Sequence, residues 1–180
     1  MISVAIAGPG LSGKTSLIEA IANLLHGSVR EDDSRWRWFR RADVRIPGGP
    51  KTPAFELSFS HLGGNHYHPW LEYCREHVPS CDVILFVLDS QRDRMPANHE
   101  CFDAVRSSAD LRNRRGLLLY TKRDTLTAVP VDTLNEAFNF MGWPWLASHP
   151  GSAETARWVV DAVCTRTQQS GVDQPGDQFG

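Results

Sequence analysis

Two kinds of apolar pattern alternate along this chain. Ile2-Ser3-Val4-Ala5-Ile6-Ala7, Val83-Ile84-Leu85-Phe86-Val87-Leu88 and Gly116-Leu117-Leu118-Leu119-Tyr120 are short, nearly continuous apolar runs. Such runs mark strands buried on both faces, as in the middle of a parallel sheet. Between and after them lie stretches with apolar residues at helical spacing, over 15–25, 96–107, 131–139 and 152–167. A shorter helix is predicted from Pro69, which suits a first helical position, to Val78. Phe55–Ser60 alternates apolar and polar residues. β-type residues also return from Arg35 to Ile46, and Pro47-Gly48-Gly49-Pro50 is a turn signal, so a β-hairpin is predicted there. Trp143–Ala147 reads as a last short strand despite Pro144. Ser28–Ser34 and His61–His68 read as loops, and Gly27 as the left-handed cap that stops the first helix. The expected fold is α/β, a three-layer sandwich around a mostly parallel sheet with one antiparallel hairpin strand. It occupies 1–167, with a polar tail over 168–180.

Composition narrows this only modestly. A chain of 180 residues suits one well-cored domain. A net charge of −2 argues against bulk electrostatic binding to nucleic acid or an anionic membrane. The 4 cysteines, Cys74, Cys81, Cys101 and Cys164, show no paired spacing, so reduced thiols are expected. No run approaches the about 20 apolar residues that span a bilayer. With no secretory leader, N-terminal glycine or C-terminal cysteine in view, a cytoplasmic protein without a membrane anchor is expected.

Chemistry enters at Gly8-Pro9-Gly10-Leu11-Ser12-Gly13-Lys14-Thr15, which fits G-x-x-x-x-G-K-[ST] between a predicted strand and a predicted helix. Glycines let the backbone wrap a phosphate chain with its N–H groups inward. The lysine reaches the terminal phosphates, and the threonine hydroxyl ligates magnesium. The candidate binding residues are therefore Gly8, Gly10, Leu11, Ser12, Gly13, Lys14, Thr15 and Ser16, with Thr15 the first candidate metal ligand.

That loop leaves the base open. Thr121-Lys122-Arg123-Asp124 follows the Gly116–Tyr120 run. A carboxylate there can accept two N–H bonds from the edge of guanine, whereas adenine offers no such donor pair and leaves the acid unsatisfied. The lysine stem can lie on the base while its ammonium braces the phosphate loop. This segment resembles the N/T-K-x-D motif of the Ras-like GTPases in its threonine form. From Met1 to Thr167 the chain is similar to bacterial small GTPases of the gliding-motility (Mgl) type, with Arf-like character. Asp89-Ser90-Gln91, Arg94–Asn98 and Pro130-Val131-Asp132 carry that similarity further. The resemblance implies a P-loop NTPase fold, GTP or GDP with Mg2+, and Ala147-Ser148 as the loop that gives a backbone N–H to the guanine oxygen. It also implies a polarity switch with a regulatory protein of roadblock type and an effector.

The switch segments depart from the family pattern. Ser34 is the hydroxyl available as a second metal ligand, with Thr52 as an alternative if 35–46 is loop. His61-Leu62-Gly63-Gly64-Asn65 aligns with the second switch. There Gly64 can present its N–H to a γ-phosphate, but His61 replaces the usual aspartate and Asn65 is a methylene shorter than the usual glutamine. Asp32, Asp33 or Asp89 could replace the missing acid, and Arg30 or Arg35 could supply a guanidinium in cis. The expectations are weak magnesium binding and slow or partner-dependent GTP hydrolysis, with Asn65, Gly64 and Arg35 as candidate catalytic residues. A catalytically inactive GTP-binding scaffold, and a P-loop ATPase or small-molecule kinase, stay open.

Two further clusters are legible. His61, His66, His68, Cys74 and His77 offer zinc-type ligands without the spacing of a common zinc site, and read first as a polar, pH-sensitive surface. Arg35-Trp36-Arg37-Trp38-Phe39-Arg40-Arg41 interleaves basic and aromatic residues. It reads as a partner-protein surface, then as a charged sheet edge, with nucleic acid third.

Overall fold

The computed structural model describes residues 1–31, 39–47, 54–62, 67–108, 115–139 and 142–168. Seven strands form one sheet: β1 (Ile2–Ala7), β2 (Val29–Glu31), β3 (Phe39–Ile46), β4 (Phe55–Leu62), β5 (Val83–Asp89), β6 (Arg115–Thr121) and β7 (Trp145–Ala147). Their order is β2-β3-β4-β1-β5-β6-β7. β3 runs antiparallel to both neighbours, and the remaining pairs are parallel. The helices are α1 (Lys14–Leu24), α2 (Tyr67–Glu72), α3 (Met95–Ser108), α4 (Val131–Phe138) and α5 (Ala153–Gln168). Among the described residues, no helix is long and apolar enough to cross a membrane.

The continuous apolar runs are explained by two cores. Along β1, β5 and β6, alternate side chains enter opposite faces of the sheet. Val4, Ile6, Leu85, Val87, Leu117 and Leu119 pack with Leu17 and Ile21 of α1 and Val159 and Val163 of α5. Ala5, Ile84, Phe86, Leu118 and Tyr120 pack on the other face with Phe102, Leu134 and Phe138 of α3 and α4. A strand serving two cores can spare no polar position, which is why these segments lack the alternation seen in β4. Gly116 marks where the second core is tightest. A Cβ there would lie 2.3 Å from the Trp143 indole, itself buried. Gly116→Val is expected to lower the urea-unfolding free energy by about 1–3 kcal/mol through overpacking. An unchanged midpoint would show that the indole has room to move.

Several expectations are corrected. Val29–Glu31 is strand, not loop, because it pairs with β3 in the register Val29↔Ala42 to Glu31↔Arg40. Consequently β3 is not the sheet edge. The first helix ends in a Schellman pair, Gly27 N–H on the Ala22 carbonyl (2.8 Å) and His26 N–H on the Asn23 carbonyl (3.4 Å). The left-handed residue is His26 (φ 54°), and Gly27 is needed instead because a Cβ would meet Val44 Cγ1 at 2.7 Å. His61 and Leu62 extend β4 rather than opening a loop. The helix placed at Pro69–Val78 begins at Tyr67 and breaks into a π-turn over Tyr73–His77 and a 3-10 turn over Val78–Ser80. Pro79 lacks the N–H that an α-helix would need there. The tail predicted over 168–180 begins at Gln168, which instead closes α5, and 169–180 lie outside the described residues.

The basic stretch that reads as a binding surface is largely self-neutralised where it is described. Phe39 is in the core, Arg40 reaches Glu19 (3.5 Å) and Glu31 (3.4 Å), and Arg41 pairs with Asp43 at 2.8 Å. Residues 35–38 lie outside the described residues.

Candidate functional site

Three loops meet at the carboxyl ends of β1, β5, β6 and β7. The first is Gly8–Gly13, between β1 and α1. Gly8 has φ 142° and Gly13 φ 98°, and a Cβ on Gly8 would sit 2.1 Å from the Val87 carbonyl oxygen. A Cβ on Gly13 would sit 2.5 Å from Pro150 Cγ. Both glycines are therefore demanded by close approach as well as by conformation. Gly13 is the N-cap of α1, and no side chain caps that end. The helix thus keeps its first N–H groups for an external acceptor, the arrangement that suits an anion.

Lys14 is buried, and its ammonium donates to the Gly8 carbonyl (2.9 Å) and the Pro9 carbonyl (2.5 Å). Burial, with a contribution from Arg94, lowers its pKa to about 8. An ammonium held by its own loop, at a desolvation cost, is poised to exchange those carbonyls for a stronger anionic partner. The Ser12 hydroxyl is also buried and makes no hydrogen bond, while Leu11 (φ 66°) stands exposed at the tip. Thr15 and Ser16 follow at the start of α1.

The second loop is Thr121–Asp124, leaving β6. The Thr121 hydroxyl is buried 2.9 Å from the Ser12 carbonyl and 3.0 Å from the Leu88 carbonyl, so it ties this turn to the phosphate loop. Lys122 adopts a left-handed backbone (φ 56°), and Asp124, two residues on, is exposed. The Thr125 hydroxyl donates to the Lys122 carbonyl (3.0 Å), and Arg123 donates to the Val129 carbonyl.

The Lys122 ammonium does not brace the phosphate loop, as the sequence suggests. It pairs with Asp89 Oδ2 at 2.7 Å. The brace is Arg94, whose Nη2 donates to the Gly10 carbonyl at 2.8 Å while its Nε lies 3.7 Å from Asp89 Oδ2. Asp89 also accepts the Gln91 N–H at 3.1 Å. Its backbone is clamped by Asn98, which accepts the Asp89 N–H (3.2 Å) and donates to the Asp89 carbonyl (2.7 Å). Asp89 is thereby committed and cannot stand in for a switch acid. In the sequence Arg94 stands only within the Arg94–Asn98 segment that carries the resemblance, and its functional candidacy comes from these contacts.

The third loop follows β7. The Ser148 N–H is already donated to the Tyr120 carbonyl (3.0 Å), so it cannot also serve a base, a correction to its expected role. Its hydroxyl accepts from Thr155 (2.9 Å), and Ser152 caps α5 by accepting the Thr155 N–H at 3.1 Å. Ala147 ends β7 next to the turn. Pro150, buried against Gly13, presses this loop onto the phosphate loop.

His61 lies at the end of β4, paired with Ile6 of β1. It is fully buried, and neither ring nitrogen makes a hydrogen bond. Burial, reinforced by the Lys14 charge and opposed by the Leu62 peptide, lowers its pKa to about 4, so the ring is neutral near pH 7. The other expected switch residues, Ser34, Arg35, Thr52, Gly64 and Asn65, lie outside the described residues, as do Asp32, Asp33 and His66. Arg30 is drawn away to the sheet edge, where it pairs with Asp43. Of the zinc-type residues, His61, Cys74 and His77 are those whose side chains are described. Cys74 is in the core with its pKa raised by burial, and His77 Nε2 lies 2.7 Å from the Ser60 hydroxyl. Among the described residues, no group of three metal-type side chains converges.

No protein-family model matches the chain. In sequence it is similar to the mutual gliding-motility protein MglA of Myxococcus xanthus (strain DK1622), 29% identical over 182 aligned residues that cover 91% of each chain. In structure it is similar to the G domain of the T. maritima FeoB iron transporter, with a TM-score of 0.63 at 16% identity. That likeness covers 93% of this chain and 99% of the other. The architecture is thus that of a G domain, an α/β sandwich with a mostly parallel sheet.

Proposed function

We propose that this Ras-like P-loop chain is a guanine-nucleotide-binding switch of the small-GTPase type, acting in the cytoplasm through its domain at 1–167. The observation that carries the reading is the Thr121 hydroxyl on the Ser12 carbonyl, which ties the base-recognition turn to the phosphate loop. Gly8, Gly10, Leu11, Ser12, Gly13, Lys14, Thr15 and Ser16 hold the phosphates. Lys122 and Asp124 take the base, with Ala147 beside it. The fit to a nucleotide rests on the uncapped start of α1, the glycine cradle and the self-bonded Lys14.

Magnesium fits less well. Thr15 offers its hydroxyl, but His61 stands at the acid position as a neutral ring and Asp89 is spent on Lys122 and Arg94. Hydrolysis is accordingly slow, or dependent on a regulatory protein, with Gly64, Asn65 and Arg35 as the residues that would act on the terminal phosphate. The same neutral His61 favours a second reading, a GTP-binding scaffold that does not turn over. Single-turnover hydrolysis with and without a candidate activator separates the two. Similarity to MglA supports partners of the regulator-and-effector kind, and a roadblock-type activator is part of the proposal.

Guanine specificity is tested directly. Fluorescent guanine nucleotide is expected to bind and adenine nucleotide to bind far more weakly. Asp124→Asn should lower guanine affinity by about 1–3 kcal/mol, the cost of an unmatched hydrogen-bond pair, and turn preference toward xanthine nucleotide. Equal affinity for adenine and guanine nucleotides in the natural chain would refute the base assignment.

A further inference from the structure

Leu11 holds a backbone conformation that its side chain does nothing to support. The Ser12 N–H closes on the Pro9 carbonyl (3.4 Å), so Pro9-Gly10-Leu11-Ser12 is a β-turn at the tip of the phosphate loop. Its third residue has φ 66°, while Gly10 keeps a negative φ. That is the type II arrangement, which ordinarily requires glycine at the third place. Leu11 is 72% exposed, so no packing of its side chain offsets the strain. The offset has to come from a contact to the backbone of the turn.

That contact is Arg94. Its Nη2 donates to the Gly10 carbonyl at 2.8 Å, and the Gly10–Leu11 peptide is the central one of the turn. Types I and II differ by turning that peptide over. In a trans peptide the N–H points away from the carbonyl. Drawing the Gly10 oxygen toward Arg94 therefore sends the Leu11 N–H to the other side. Among the described residues, that N–H meets no acceptor. Turned over, the loop would offer a carbonyl oxygen where it now offers a donor. Arg94 is itself fixed from behind. The Asp89 carboxylate accepts the Gln91 N–H (3.1 Å), and the Gln91 carbonyl accepts the Arg94 N–H (3.0 Å). The guanidinium Nε stands 3.7 Å from Asp89 Oδ2. A charged donor anchored in this way grips a carbonyl more strongly than a neutral one.

Resting on the nucleotide reading above, we propose that Arg94 is a positioning residue for the nucleotide's phosphates. By gripping the Gly10 carbonyl it locks the strained Gly10–Leu11 peptide in the setting that presents the Leu11 N–H to an anion. Asp89 also holds Lys122 of the base-reading turn at 2.7 Å, so one carboxylate orders both ends of the site.

GDP affinity is measured by fluorescent-nucleotide titration in the natural chain, Arg94→Met, Leu11→Gly and the double variant. Arg94→Met is expected to weaken GDP about tenfold, the worth of a hydrogen bond from a charged group. Leu11→Gly removes the strain, because glycine adopts a positive φ as readily as a negative one. Measured against Leu11→Gly, the loss on Arg94→Met should shrink to about threefold or less, since the turn no longer needs the clamp. A merely structural role predicts the reverse, because a further glycine loosens the loop and adds to any loss. Arg94→Lys keeps a cation beside Asp89. Should Arg94→Met fail to fold, Arg94→Lys is expected to show the same relief by Leu11→Gly on a smaller scale. GDP affinity unchanged by loss of the guanidinium, or an equal loss in both backgrounds, would overturn the proposal. Failure of GDP to bind the natural chain would instead remove the nucleotide reading, and this one with it.

Discussion

Asp89→Ala is expected to lower the unfolding free energy of the nucleotide-free protein by about 3 kcal/mol, the low end of the range for breaking a buried ion pair. Asp89 is fully buried, while the Lys122 and Arg94 side chains remain 33% and 30% exposed. Removing the acid therefore frees two cations that can turn partly toward water, so the loss stays below the cost of stranding a sealed charge. Removing the lysine strands the acid instead. Lys122→Met leaves Asp89 with Arg94 at 3.7 Å and the Gln91 N–H as its remaining partners, and should cost as much or more. The pair Asp89→Ala with Lys122→Met should be milder than the sum of the singles, with a coupling of about 1–3 kcal/mol. Urea unfolding of the four proteins measures this. Strict additivity would show that the pair is incidental. Because Arg94 also holds the Gly10 carbonyl, Asp89→Ala should weaken nucleotide binding along with stability.

Acid should act on the same corner through His61. The ring titrates near 6.5 in an unfolded chain and near 4 in the folded one, so the unfolded state alone takes up a proton between those values. Stability is fully present above about pH 6.5, falls as pH is lowered toward about 4, and levels off below. The loss over that window approaches about 3 kcal/mol for a shift of this size. His77 is also held below its ordinary value by burial and by Arg41, and adds a loss of the same sign. The His61 share is isolated by comparing slopes. In nucleotide-free protein without metal, ΔG plotted against pH over 4.5–7 should be clearly flatter in His61→Asn. Parallel curves would show that the ring takes up its proton alike in the folded and unfolded states, and the assignment would fail.

Much of this protein is legible in one dimension, and the reasons differ by element. β1, β5 and β6 declare themselves because a strand sandwiched between α1 and α5 on one side and α3 and α4 on the other must be apolar throughout. The phosphate loop is legible because a positive φ at Gly8 and Gly13, and contacts that forbid a Cβ at both, allow almost no substitution. By contrast, β2 is three residues long, Val29-Arg30-Glu31, with two of the three charged and exposed. Nothing local distinguishes it from a loop, and it exists because β3 offers it hydrogen bonds. The Schellman turn with His26 in the glycine's place was hidden for a like reason: Gly27 is reserved for the approach of Val44, a residue far along the chain.

What the sequence by itself determined is the architecture and the two motifs on which the proposed function rests, Gly8–Thr15 and Thr121–Asp124. These rest on periodicity and on local backbone demands, both written into neighbouring residues. Only the tertiary structure decided how the corner is wired. A lysine or an arginine meets whichever anion or carbonyl the fold places within reach. Sequence distance carries no record of that choice. So Lys122 went to Asp89, Arg94 took the loop carbonyl, and Ser148 spent its N–H on Tyr120. The fate of His61 was decided in the same way. Two residues more of strand turned a presumed loop histidine into a sealed, neutral ring, because burial leaves an imidazole no water to hold its charge.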